Sequence, residues 1–166
     1  MDCCTTSSCS CCESSYIKAS SQTCPICKHQ GMLVKNFTVK HIVLDEYLSQ
    51  VGSNDYFLCT NPECDVGYYQ GEKLFYKQQL KVPIWLKKDA NPKYVCYCGK
   101  VTEDDIMEAV LKKGAKTLSE VCKITGAMKD CKCEINNPTG KCCADIVKEA
   151  FEKAVKIRKE TRDCLN

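Results

Sequence analysis

With 166 residues, 24 basic and 21 acidic side chains and a net charge of +3, the chain suffices for one ordinary domain or two small ones. So small a charge excess offers no basic stripe to nucleic acid or an anionic membrane, and no apolar run approaches the ~18 residues of a membrane span. Seventeen cysteines, about a tenth of the chain, leave a disulfide scaffold or metal sites as the possible classes.

Metal is the better fit. The cysteine count is odd, so at least one thiol lacks a disulfide partner. The thiols fall as C-x-x-C, C-x-C and C-C, where close neighbours chelate one centre. The first twenty residues lack the apolar segment of a leader peptide. A reducing, cytoplasmic setting is therefore expected.

Residues 1–23 are mostly Ser, Thr and Cys and have almost nothing to bury. Such a segment does not offset its own ordering entropy, so a disordered tail is expected. It holds Cys3, Cys4, Cys9, Cys11 and Cys12. These are either incidental thiols or a capture arm for a soft ion such as Cu(I).

Residues 24–90 read as a zinc-ribbon-like β module. Cys24-Pro25-Ile26-Cys27 points two thiols at one site, and Cys59 and Cys64 supply a second pair. Two such pairs some thirty residues apart form a strong pattern for tetrahedral Zn²⁺ in four sulfurs. Four protein ligands close the coordination sphere, so the zinc is expected to be structural. A redox dithiol at Cys24 and Cys27 is the alternative. His29 or Asp65 replacing a thiol is a further one, and an exposed loop histidine is the simpler reading of His29. Alternation from Met32 to Leu44 predicts a strand holding His41. Tyr56-Phe57-Leu58 predicts another, running into Cys59. Val66–Tyr69 and Leu74–Tyr76, around Gln70-Gly71, predict a hairpin. Residues 77–95, broken by Pro83 and Pro92, read as an exit strand and linker, with Ile84, Trp85 and Leu86 packing between modules.

Residues 94–163 read as a helical module, making the whole chain α+β. Thr102 with Asp105, and Thr117 with Glu120, are capping-box pairs that start two helices; Gly114 and Gly126 stop them. Cys122 fits a small core residue. A last helix, Asp145–Arg162, carries a stripe of Ile146, Ala150, Phe151, Ala154 and Ile157, and Cys164 lies beyond it.

Within this module Cys96 and Cys98 face Cys131, Cys133, Cys142 and Cys143 about thirty-five residues later. Gathered thiolates are stable around a soft cation or an iron–sulfur core. A second zinc site or a disulfide knot remain alternatives on spacing alone. Helices begin just after Cys98 and Cys143, and their N-termini favour an anionic centre. Adjacent side chains diverge, so one of Cys142 and Cys143 is expected to ligate.

The stretch VCYCGKVTEDDI followed by CKCEINNPTGKCC resembles the bacterioferritin-associated ferredoxins, small helical [2Fe–2S] domains. The fuller pattern, over roughly residues 22–157, resembles the N-terminal half of archaeal CopZ-type copper chaperones, where a zinc module precedes the [2Fe–2S] module. The resemblance implies one ligand from the second C-x-C and one from the C-C, about ten residues apart. Cys133 and Cys143 have that spacing, which gives a cluster set of Cys96, Cys98, Cys133 and Cys143. An M-x-C-x-x-C loop, the mark of the family's copper-transfer domain, is not among these residues.

No arrangement for hydrolytic or group-transfer catalysis is present. The resemblance implies copper handling, with the cluster supplying an electron that reduces Cu(II) to Cu(I). Copper ions, a copper-exporting ATPase or a redox protein are the implied partners. The alternatives are a plain electron carrier without a copper role, and a zinc-ribbon interaction or nucleic-acid-binding protein, which the charge disfavours.

Overall fold

The computed structural model describes residues 22–164: a four-stranded antiparallel sheet, then a largely helical part. The strands lie in chain order: β1 (Gly31–Val34), β2 (Tyr56–Cys59), β3 (Val66–Gln70) and β4 (Lys73–Tyr76). Side chains alternate across a strand, and this sheet uses both faces. Tyr56, Leu58, Tyr68 and Phe75 point into one core with Val34, Val39, Ile42 and Ile84. Phe57, Tyr69 and Leu74, one residue out of step, cover the other face, where Cys24, Cys59 and Cys64 gather.

The expected strand from Met32 to Leu44 stops at Val34. Helix α1 (Asn36–Ile42) follows and buries Thr38, Val39 and Ile42. That spacing suits a helical stripe, while Phe37, which alternation would bury, is 52% exposed. His41 therefore stands on an exposed helix face, its ring nitrogen 2.8 Å from the Phe37 carbonyl.

The expected exit strand is also absent. A 3₁₀ turn, Lys77–Gln79, leads into irregular chain. Ile84 and Leu86 pack on the sheet core instead of between modules. Of the tail, Gln22 and Thr23 belong to the sheet module: Thr23 bridges Gln30, and the Tyr69 hydroxyl donates to the Gln22 carbonyl. Cys3, Cys4, Cys9, Cys11 and Cys12 lie outside the described residues.

The second part opens with a short antiparallel ribbon, β5 (Tyr94–Cys96) and β6 (Val101–Thr102). It continues through α2 (Glu103–Leu111), α3 (Leu118–Thr125), α4 (Cys133–Asn136) and α5 (Ala144–Asp163). Both capping boxes form. Thr102 accepts from the Asp105 N–H at 3.2 Å, and Thr117 accepts from the Glu120 N–H at 3.2 Å. Each stabilises its helix by about 1 kcal/mol. Helix α5 lies along α2 and buries Val147, Ala150 and Ala154, with Ile146 and Phe151 at the margin.

The two parts meet at named contacts. Helix α1 packs on α4. The buried Tyr68 hydroxyl donates to the Pro138 carbonyl. Tyr97 Oη donates to the Pro83 carbonyl at 2.7 Å and accepts from the Trp85 N–H at 2.9 Å. Gly140, at φ +67°, comes so near that a Cβ there would sit 2.7 Å from Thr38 Oγ1. Only glycine satisfies both that backbone and that approach.

Candidate metal centres

The first centre is built from two turns at one end of the sheet. Between Cys24 and Cys27 the chain doubles back: the Cys24 N–H donates to the His29 carbonyl at 2.8 Å, and the Lys28 N–H to the Cys24 carbonyl at 2.9 Å. Lys28 takes the left-handed conformation, φ 62°, that closes this turn. Cys59 ends β2, and the Asn61 side chain accepts from the Glu63 N–H at 3.0 Å to return the chain toward Cys64. All four sulfurs lie within 4.8 Å of one another, with Cys27 and Cys59 at 3.5 Å.

That geometry fits one tetrahedral ion. With Zn–S bonds of about 2.3 Å, four sulfurs stand about 3.8 Å apart. Burial pushes the Cys27 thiol up, but the His29 backbone N–H and then Asn61 outweigh it and hold Cys27 at about 6. Burial pushes Cys59 up to about 12. Lys87, 2% exposed, places its ammonium against the Cys59 and Asn61 carbonyls at 2.9 and 2.8 Å, where its charge favours the Cys59 thiolate. His29 stays exposed, with Nδ1 3.3 Å from the Cys27 carbonyl oxygen. Asp65 pairs with Lys77 at 2.7 Å, away from the sulfurs.

The second centre is assembled from distant elements. Cys96 ends β5, Cys98 sits in the turn to β6, Cys133 starts α4, and Cys143 caps α5. Together with Met128, Cys131 and Cys142 they line one cavity, in which Cys131 is disulfide-bonded and offers no thiolate. Cys98 and Cys133 have their sulfurs 3.8 Å apart, and Cys96 hydrogen-bonds to Cys143. Cys133 also hydrogen-bonds to Cys142 and Cys143, so the sulfurs form one connected group around the cavity. The donor set is soft and anionic, as an iron–sulfur core requires.

The loop from Cys133 to Cys143 is held by its own side chains. Asn137 is fully buried: its oxygen accepts from the Thr139 N–H and hydroxyl at 3.0 and 2.9 Å, and its amide donates to the Lys141 carbonyl at 2.9 Å. Around the sulfurs, the Met128 N–H donates to Cys96 Sγ at 3.3 Å, and the Asn136 side-chain amide donates to Cys98 Sγ at 3.6 Å. Hydrogen bonding among the thiols separates them. Cys133, then Cys96, holds Cys143 at about 4; Cys133, opposed by burial and aided by Asn136, holds Cys98 at about 6. Cys133 and Cys96 are pushed up in return. Cys122 lies in the helical core, its sulfur 3.9 Å from that of Met128, and Cys164 is exposed at the end of α5.

The sequence reading missed Lys87, Met128 and Asn136. Lys87 and Met128 sit in no motif, Asn136 lies inside CKCEINNPTGKCC without being a thiol, and only the tertiary fold brings the three to the centres.

Residues 21–81 match the zinc binding domain family of CopZ, and residues 94–153 match the BFD-like [2Fe-2S] binding domain family. The chain is 37% identical over 120 residues to the copper chaperone CopZ of Archaeoglobus fulgidus, covering 72% of this chain and 57% of that protein. It thus spans little more than half the length of that relative. The X-ray structure of the Archaeoglobus fulgidus CopZ N-terminal domain superposes with a TM-score of 0.66 at 34% identity, over 77% of this chain and 96% of that one. The chain thus carries a zinc-binding domain followed by a [2Fe–2S]-binding domain. Among the described residues, no helix is long and apolar enough to cross a membrane.

Proposed function

The chain belongs to the family of the CopZ N-terminal domain, and on that premise we propose that it handles copper by one-electron chemistry. In this reading Cys24, Cys27, Cys59 and Cys64 hold the zinc that shapes the sheet module. Cys96, Cys98, Cys133 and Cys143 would hold the cluster. When bound, a [2Fe–2S] cluster supplies a one-electron couple.

The observation that carries this reading is the gathering of five cysteine thiols, Cys96, Cys98, Cys133, Cys142 and Cys143, around the second cavity. One cluster takes four thiolates, which leaves Cys142 beside it. A thiolate is a donor that selects Cu(I). In this reading Cu(II) would be the substrate, meeting the centre at the partly exposed Cys98, where the cluster would supply the one electron that turns it to Cu(I). An external one-electron donor replaces that electron. The buried side chains of Cys96, Cys133 and Cys143 keep the rest of the centre from water.

Protein purified without oxygen, reduced with dithionite and freed of excess reductant tests this. Mixed with Cu(II) and a Cu(I)-specific indicator, it is expected to yield up to one Cu(I) per cluster, with the reduced cluster's EPR signal vanishing in step. A cluster that reduces a ferricyanide control but yields no Cu(I) would leave an electron carrier without a copper role. Zinc without iron or labile sulfide would remove both readings.

A further inference from the structure

The four proposed cluster thiols do not meet equal surroundings. Cys96, Cys133 and Cys143 are buried, at 0%, 2% and 2% exposure, while Cys98 is partly open to solvent. Backbone N–H groups face the sulfurs on both sides of the cavity, from Met128 and Gly99 at Cys96 and from Lys132 at Cys98. Asn136 differs from these. It is a side chain, half-buried, on the last residue of α4, and its amide nitrogen lies 3.6 Å from Cys98 Sγ. Among the described residues it is the amide side chain that reaches one of the four proposed cluster sulfurs.

Its position is fixed from both ends. The Asn136 N–H closes α4 on the Lys132 carbonyl at 3.0 Å, and the next residue, Asn137, is locked in the buried loop. Helix α4 itself is held by α1 of the sheet module. The amide is thus presented to Cys98 by the fold and not by chance rotation of a free side chain.

We propose that Asn136 is a positioning residue that, through its amide on Cys98, raises the reduction potential of the cluster. This rests on the cluster reading given above. Reduction adds one negative charge that spreads onto the sulfurs. An N–H donor is held more strongly by the more negative sulfur, so it stabilises the reduced form more than the oxidised one. Solvent at Cys98 acts in the same direction. The two effects coincide at Cys98.

The test is a potentiometric titration of wild type, Asn136→Leu and Asn136→Asp, with the reduced cluster followed by EPR. Leucine keeps the volume and removes the donor. The ratio of reduced to oxidised cluster at a given ambient potential is expected to fall about tenfold, a lowering of about 59 mV for one electron. Aspartate adds a negative charge and is expected to lower it further. Asn136→Gln, which retains an amide, is expected to recover part of the loss. Equal potentials in clusters of equal occupancy would overturn the assignment. Should neither variant hold a cluster, reduced wild type grown with side-chain ¹⁵N-labelled asparagine carries the test. A ¹⁵N hyperfine coupling in pulsed EPR supports the contact, and its absence overturns it. Wild type with zinc but no iron signal would instead overturn the cluster reading beneath it.

Discussion

The sulfurs of the first centre come from two turns on one sheet; those of the second come from the end of β5, the following turn, and the starts of α4 and α5. In the first, four thiols converge within 4.8 Å, enough to fill the coordination sphere of one tetrahedral ion. In the second, seven sulfur-bearing residues share a cavity, and the Cys98 and Cys142 thiols are partly open to solvent. A closed tetrahedron suits an ion whose work is to hold chain together. An open, asymmetric, donor-rich cavity suits a centre that exchanges electrons with something outside. The two modules also differ in what they would be without metal. The helical part has one core, led by Ile106, Val110, Val121 and Val147, whereas the sheet module divides its apolar residues between the core around Tyr56, Leu58 and Phe75 and a sulfur-bearing face with little beyond Tyr69, Val66, Phe57 and Leu74.

The largest expected effect breaks the symmetry between the two metals. Structural zinc contributes about 10–16 kcal/mol of binding free energy that is also folding free energy. Stripping zinc with a strong chelator, or replacing Cys59 with alanine, should unfold the sheet module. Removing iron should leave the helices standing. Backbone NMR of each form checks this: the shifts of β1 to β4 should collapse in the zinc-free protein and persist in the iron-free one. Collapse of α2 and α5 on iron removal would show the helical core to be as metal-dependent as the sheet.

Next comes the choice of sulfurs. Cys133→Ser should abolish the visible absorbance of the cluster while zinc stays at one per chain. Cys142→Ser should keep most of the iron. Each variant is scored by iron, sulfide and zinc content after oxygen-free preparation. The reverse pattern would take Cys133 out of the cluster set and put Cys142 in its place.

How much of this could be read from residues alone differs between the centres in the same way. The zinc pairs are local motifs: C-P-I-C and C-T-N-P-E-C each make their own turn, so spacing was sufficient to bring the four sulfurs to mind together. The capping boxes at Thr102 and Thr117 were equally local, and both helices start there. Alternation failed between Asn36 and Ile42, because Val39 and Ile42 fit a short helix as well as a strand. Helix α4 is four residues long, too short for any periodicity, yet it carries Cys133 at one end and Asn136 at the other. Lys87 reads as one more surface lysine until the fold buries it against the zinc turns.

Lys87 sharpens the contrast from the zinc side. Four thiolates around Zn²⁺ carry a formal charge of about −2. Lys87 is a buried cation given to the carbonyls of the Cys59 turn, so it both balances that charge and ties the turn down. Outer groups of this kind typically alter metal affinity by about 10–100-fold. Lys87→Met should lose zinc to a competing chelator at least about tenfold more readily, with cluster content unchanged. Zinc retention equal to wild type would reduce Lys87 to a packing residue.

The smallest effect asks whether the two centres are mechanically separate. Tyr68 reaches from the middle of the sheet to the Pro138 carbonyl, inside the loop between Cys133 and Cys143. Tyr68→Phe removes one hydroxyl and leaves one buried carbonyl short of a donor, a cost of about 1–3 kcal/mol. The ring remains, so the sheet core around Leu58 and Phe75 should keep its packing, and zinc should stay bound. The loop loses its tether to the sheet, although Asn137 still holds it from within. Cluster loss to an iron chelator should therefore quicken several-fold, while zinc loss stays at the wild-type rate. If both rates stay unchanged, the sheet does not steady the cluster loop, and Thr38 against Gly140 is left as packing between two independent centres.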